Sequence, residues 1–187
     1  APVRFMFADT LKADAREIIQ SMHQQSIHTA LLSGDRKEVT LGLAKTLGIE
    51  TAEGNLTPLE KTEHIAALKA KGEKVLMVGD GLNDAPSLAS ADVSMSPASA
   101  MDITQNAADI VFQGDKLLPV LTALNTAKFS QKLVRQNFLL AIGYNVIAIP
   151  LAVAGYVTPL IAAIAMSSSS LVVIANAMRL NLKRGNA

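Results

Sequence analysis

Val75-Leu76-Met77-Val78-Gly79-Asp80-Gly81-Leu82-Asn83-Asp84-Ala85-Pro86 is the stretch that decides the fold. Four apolar residues of strand type run into Gly79-Asp80-Gly81, where glycine permits a tight turn and the close approach of a backbone or a phosphate. Pro86 suits the first turn of a helix. The stretch therefore predicts a strand, a turn and a helix, with Asp80 and Asp84 at the mouth of the unit. A hard cation such as Mg²⁺ takes oxygen ligands of this kind. Taken alone, Asp80 also reads as a turn residue and Asp84 as a helix cap.

Working outward, the same alternation repeats. A strand over 4–7 ends at Asp9 and is followed by a helix over 12–25, with Ala15, Ile18, Ile19 and Met22 at helical spacing. A strand over 29–32 enters Ser33-Gly34-Asp35, and a helix over 36–47 follows, with Asp35 as its expected cap and Gly48 as its stop. Thr57-Pro58-Leu59-Glu60 is a capping-box start whose helix Gly72 ends. Short strands are expected at 93–95 and 109–112, around a helix near 98–106. Strands alternating with helices imply an α/β fold with a parallel, doubly wound sheet. Asp9, Asp35 and Asp80 each follow the carboxyl end of an expected strand, the edge where open α/β sheets bind ligands. Lys61 lies in the first turn of a helix begun by Pro58. Its ammonium either joins that helix end in holding phosphate or is an ordinary solvated charge.

The chain has 187 residues, a formal net charge of +1 and no cysteine. That excludes disulfides and thiolate metal sites within these residues, and no aromatic-plus-basic interleaving points to nucleic acid. The opening residues do not read as a signal peptide. The first residue is not Met, so a piece of a longer protein is expected. Charge is unevenly placed: from Gln136 to Met178 there is no Asp, Glu, Lys, Arg or His. This stretch is long enough for two membrane helices, expected at 137–154 and 159–178 and broken by Gly155-Tyr156-Val157-Thr158-Pro159. Lys128, Lys132 and Arg135 precede it, and Arg179, Lys183 and Arg184 follow. Basic residues at both ends favour a hairpin with both ends in the cytoplasm, over a buried helical pair of a soluble protein. The amphipathic segment 116–129 is the expected stalk between sheet and membrane.

Polar side chains within a bilayer are costly and mark ion paths. Tyr144 and Asn145 lie in the first span; Met166 and Ser167 to Ser170 lie in the second. At ~1.5 Å per residue, Asn145 is roughly 15 Å from Arg135, and Met166 roughly 19 Å from Arg179. Met166, Ser169 and Ser170 share one helix face. The serines also suit helix packing, and methionine fills gaps. A thioether is nonetheless a soft ligand suited to Cu(I), and neither span offers a carboxylate or imidazole for a harder divalent ion.

The string from Gly79 to Pro86 resembles the hinge motif G-D-G-x-N-D-x-P of P-type ion-pumping ATPases, members of the haloacid dehalogenase-like phosphotransferases. Ser33-Gly34-Asp35 resembles their T-G-D loop with Ser for Thr, Pro58 to Lys61 their P-x-x-K element, and Asp9-Thr10-Leu11 their D-T-L-[KR] re-entry into the phosphorylation domain. The phosphorylated D-K-T-G-T does not occur in these residues. A soluble phosphatase with Asp9 as nucleophile needs an acid two residues on, and position 11 is Leu. Tyr144-Asn145 with Met166-x-x-Ser169-Ser170, and Asn176-Ala177-x-Arg179-Leu180, resemble copper-transporting members, nearest those serving cytochrome oxidase assembly.

The resemblance implies a partial Rossmann-like phosphorylation domain of haloacid dehalogenase type over 1–115, a stalk over 116–135, a transmembrane hairpin over 136–179 and a basic tail over 180–187. It implies ATP and Mg²⁺ as cofactors and Cu(I) as cargo. Mg²⁺ falls to Asp80 and Asp84, and phosphoryl contacts to Ser33, Gly34, Asp35 and Lys61. Asn83 completes the hinge, while Tyr144, Asn145, Met166, Ser169 and Ser170 meet the transported metal. Membrane lipid and a copper chaperone are the implied partners, in a bacterial inner membrane with the α/β part cytoplasmic. A pump for a divalent metal and a truncated, non-catalytic membrane protein of the same fold remain as alternatives.

Overall fold

The computed structural model describes residues 11–80, 82–100 and 102–184. The strand expected at 4–7, Asp9, Thr10 and Gly81 lie outside them. The chain divides into two compact units, Ala1–Leu121 and Thr122–Ala187.

In the first unit, α1 (Ala15–Gln24) precedes β1 (Ala30–Leu32), α2 (Lys37–Leu47), β2 (Thr51–Glu53) and α3 (Pro58–Ala70). Then come β3 (Leu76–Val78), a 3₁₀ turn (Leu82–Asp84), α4 (Ala85–Ser90), β4 (Val93–Pro97), α5 (Asp102–Ala107) and β5 (Ile110–Phe112). All pairings are parallel: β1 with β2 as one sheet, and β3-β4-β5 as another. Every crossover carries a helix, as parallel pairing requires. β2 was not expected from the sequence. Its three residues, Thr51-Ala52-Glu53, are exposed at both ends and carry no apolar run to announce a strand.

Ala15, Ala44, Leu47 and Ile49 form one buried cluster, against which Ile19, Leu31, Leu43, Ala52 and Leu117 pack. It joins α1 and α2 to the first sheet and to the chain just before α6 (Leu118–Val153). Ile65, Leu88 and Met95 are almost wholly buried, so α3, α4 and the second sheet share apolar surface withdrawn from water. α3 starts as the sequence predicts. Thr57 Oγ1 accepts from the Glu60 N–H, the Glu60 carboxylate accepts from the Thr57 N–H at 2.8 Å, and Pro58 opens the helix.

The second unit is a helical hairpin of the rest of α6 and α7 (Pro159–Arg184). The expected stalk and first span are one uninterrupted helix, because nothing between 118 and 149 breaks it and Pro150 falls in its last turn. Gly155, at φ 80°, ends it. The Gly155 N–H donates to the Ala152 carbonyl and the Tyr156 N–H to the Leu151 carbonyl, the paired bonds of a Schellman stop. Thr158 Oγ1 then accepts from the Ile161 N–H to start α7 behind Pro159. Both helices are long and apolar enough to cross a membrane, and their apolar windows are not buried within the protein.

Among the carboxylates outside the hairpin, Asp92 and Glu60 are held below their ordinary range by local hydrogen bonds. Asp92 accepts from the Val75 N–H at 3.0 Å, which outweighs partial burial, with Lys74 adding to the effect. Glu60 is lowered by the backbone N–H of Thr57 and then by its hydroxyl. A depressed carboxyl pKa stabilises the fold above the unfolded value of about 4 and loses that contribution as pH falls through the folded value. Urea unfolding of the α/β unit is therefore expected to show a lower midpoint at pH 3 than at pH 6. Asp92→Asn should narrow that gap; an unchanged gap would remove Asp92 from the account.

Candidate functional site

The site is built at the carboxyl ends of β1 and β3. After β1, the loop 33–36 is laced to the segment that follows β2. The Ser33 N–H donates to the Glu53 carbonyl, the Leu56 N–H to the Ser33 carbonyl and the Asn55 N–H to the Asp35 carbonyl. Ser33 Oγ donates to Asp35 Oδ2 at 2.9 Å and accepts from the Asp35 N–H at 3.1 Å. Asp35 does not cap α2, as the sequence suggests. Arg36 occupies that position, no side chain caps the helix, and the Asp35 carboxylate turns to Ser33. Gly54 went unremarked in the sequence, yet a Cβ there would come within 2.7 Å of Lys37 Cα and 2.8 Å of Thr40 Oγ1. It allows the two loops to approach.

After β3, the Gly79 N–H donates to the Met95 carbonyl at 3.2 Å and the chain enters the 3₁₀ turn. Asp80 and Asn83 are exposed. Asp84 occupies the N-cap position of α4 but makes no capping bond with its side chain. Instead Asp84 Oδ1 accepts from Lys61 Nζ at 2.7 Å, and only 9% of the Lys61 side chain and 14% of the Asp84 side chain are accessible. A Cβ on Gly79 would lie 2.8 Å from Asp84 Cβ and 3.0 Å from its Oδ2. The first glycine of the motif is thus what lets Asp84 fold back over the strand end.

The expected residues therefore form two pairs, Ser33 with Asp35 and Lys61 with Asp84, and Asp80 stands as an exposed carboxylate at the end of β3. Among the described residues, no group of three or more His, Cys, Asp or Glu is placed to hold a metal ion. Mg²⁺ does not need one, since it keeps several waters and binds through one or two carboxylates plus phosphate oxygens. The exposed Asp80 carboxylate fits that use. The Asp84 carboxylate, expected as a second ligand, is engaged by Lys61.

In the hairpin, Asn145 Nδ2 donates to the Ala141 carbonyl at 2.9 Å, and Ser169 and Ser170 donate to the Met166 carbonyl at 3.0 and 3.2 Å. These polar side chains are satisfied along their own helices. The Met166 side chain is 69% exposed. Asn176 Nδ2 reaches across to Asn137 Oδ1 at 2.8 Å and Gln136 Oε1 at 3.4 Å, while Arg179 donates to Asn176 Oδ1 at 3.0 Å. This clasp brings the two basic ends of the hairpin to the same side. Next to it, Leu139, Leu140, Gly143 and Tyr144 line a mainly apolar cavity of about 550 Å³.

The haloacid dehalogenase-like hydrolase family model matches residues 3–92. Nitrogen fixation protein FixI of Rhizobium leguminosarum bv. viciae is 53% identical over 95% of this chain and 23% of that protein. A copper-exporting P-type ATPase of Staphylococcus aureus (strain JH9) is 40% identical over 95% of this chain and 22% of that protein. The crystal structure of a zinc-transporting PIB-type ATPase in its E2.Pi state superposes with a TM-score of 0.87 at 28% identity, over 92% of this chain and 28% of that one. The chain thus spans between 22% and 28% of the length of these three proteins.

Removing one member of a buried ion pair leaves the other charge uncompensated, which costs about 3 kcal/mol. Asp84→Ala is expected to destabilise the α/β unit by that order in urea unfolding. The double change Lys61→Met with Asp84→Leu should recover most of it. A double variant as unstable as Asp84→Ala would show that packing, not charge pairing, holds α3 to the turn.

Proposed function

The chain is related by sequence and by fold to the heavy-metal P-type ATPases, membrane proteins that carry a haloacid dehalogenase-like unit, and on that footing we propose that it supplies the phosphoryl-handling and part of the cation-conducting machinery of an ATP-driven Cu(I) pump. The observation that carries this reading is the buried Lys61–Asp84 pair beside Asp80, at the carboxyl end of β3. Lys61 sits in the first turn of α3, where the helix dipole is positive, and an ammonium there is favourable only when an anion answers it. Asp84 is that anion, and a phosphoryl oxygen is the other species the same geometry accommodates.

In the proposed cycle, ATP phosphorylates an aspartate that is not among these residues, since D-K-T-G-T is absent from them. Lys61, Ser33 and Gly34 bind the phosphoryl oxygens. Asp35, bonded to Ser33, orients the hydroxyl. Asp80 offers its carboxylate to Mg²⁺, which when bound supplies neutralisation of the developing charge. Asp84 holds the Lys61 ammonium, and Asn83 completes the turn. Phosphoryl transfer relies mainly on positioning and charge stabilisation, which this residue set can provide.

Cu(I) as cargo rests on the donors of the spans. Tyr144, Asn145, Met166, Ser169 and Ser170 offer a thioether and neutral oxygens, without carboxylate or imidazole between Gln136 and Met178. The fold likeness to a zinc-transporting ATPase favours a second reading, a divalent pump, for which the ligands would have to come from elsewhere. The basic ends favour a cytoplasmic α/β unit and a bacterial inner-membrane hairpin, where a copper chaperone would deliver the ion.

ATPase turnover of the complete pump is expected to rise with Cu(I) under reducing conditions and not with Zn²⁺. Met166→Leu keeps size and apolarity but removes the sulfur, and should weaken that stimulation severalfold with membrane insertion intact. Stimulation by Zn²⁺ alone, or an unchanged copper response in Met166→Leu, would contradict the cargo assignment.

A further inference from the structure

Asp14 stands at the N-cap position of α1, where an aspartate ordinarily accepts from the second or third N–H of its own helix. Its side chain makes no such bond. Asp14 Oδ2 instead accepts from the Leu118 N–H at 2.8 Å, a contact 104 residues away in sequence. Leu118 is the first residue of α6, the 36-residue helix that continues into the apolar hairpin. The residue before it, Leu117, has no side-chain acceptor, and Pro119 has no N–H. Leu117 therefore offers the start of α6 no side-chain cap. Its cap is borrowed from α1.

Two further observations support the tie. The Leu117 side chain packs against the Ala15, Ala44, Leu47 and Ile49 cluster, so the same junction is fixed by apolar burial. Asp14 Oδ1 is shut away from solvent with no hydrogen-bond partner, a desolvation cost that the bond Oδ2 accepts from the Leu118 N–H helps to offset. Burial opposes the charge, but the N–H groups of Leu117 and Leu118 and the Lys116 ammonium outweigh it and lower the carboxyl pKa.

We propose that Asp14 is a positioning residue that latches the first turn of α6 to the α/β unit, so that displacement of that unit is delivered to the helix rather than absorbed at residues 115–118. The transport half of this proposal rests on the pump reading above; the latch itself does not. Without Asp14 the helix would lose a side-chain cap, and its first turn would be free to fray.

Two measurements test it separately. In the chain itself, in detergent micelles, amide hydrogen exchange at Leu117 and Leu118 should accelerate about fivefold in Asp14→Ala, the scale of a lost cap. Exchange within α7 should be unaffected, and Asp14→Asn, which keeps an acceptor oxygen, should stay near wild type. Unchanged exchange at Leu118 in Asp14→Ala would overturn the latch, whatever the protein transports. In the complete pump, Asp14→Ala should retain ATP-dependent phosphoenzyme while metal transported per phosphorylation falls about tenfold, and Asp14→Asn should restore it. Labelling and transport falling in parallel, or transport per phosphorylation unchanged, would overturn the coupling role. An unlabelled wild type would instead mark a failure of the pump reading, and the exchange result would still decide the latch.

Discussion

A lysine ammonium almost withdrawn from water has to meet an anion, and in this chain the anion is Asp84. Much of the α/β unit is arranged so that the 2.7 Å contact between Lys61 and Asp84 is made. The capping box of Thr57 and Glu60, with Pro58 behind it, fixes where α3 begins and hence where Lys61 stands. Gly79 leaves the space through which Asp84 folds back over the end of β3. Ile65 and Leu88, both nearly inaccessible, lie in the interior where α3 packs on α4 and α4 on the second sheet. Charge pairing, glycine geometry and apolar burial thus converge on one corner, beside an exposed Asp80.

The hairpin obeys a different constraint. Its apolar side chains face outward, which is tolerable in lipid or against other apolar helices but not in water. Its polar groups are disposed accordingly: Ser168, Ser169, Ser170 and Asn145 bond to carbonyls of their own helices. A polar bridge between its helices lies at the basic end, where Asn176 meets Asn137 and Gln136. A Schellman stop at Gly155 and a Thr158–Pro159 start close the other end.

Much of this was legible in the sequence where a residue type has one dominant physical use. Pro58 after Thr57 and before Glu60 marks a helix start, Gly48 and Gly155 mark stops, and 43 residues without Asp, Glu, Lys, Arg or His mark the hairpin. β2 was not legible, because three partly polar residues carry no period. The side-chain partners of Asp14, Asp35 and Asp84 were not legible in the sequence, for a shared reason. Each stands at or next to a helix start, where aspartate is ordinarily a cap, yet each turns its side chain to another partner: the first turn of α6, Ser33 and Lys61. Local propensity identifies such residues, but tertiary packing chooses their partners. The stalk and first span read as separate segments in the sequence because charge ends near Arg135, whereas α6 runs through both.

The central claim, that this α/β unit handles a phosphoryl group for a pump, is tested most directly by labelling the complete protein with radioactive ATP in membranes and isolating it in acid. The account predicts an acid-stable phosphoenzyme in the wild type that requires Mg²⁺. Asp80→Asn should lose it, though the protein is present and inserted to the same extent, because Asp80 is the carboxylate offered to the cation. Normal Mg²⁺-dependent labelling in Asp80→Asn would reduce Asp80 to a turn residue and contradict the account.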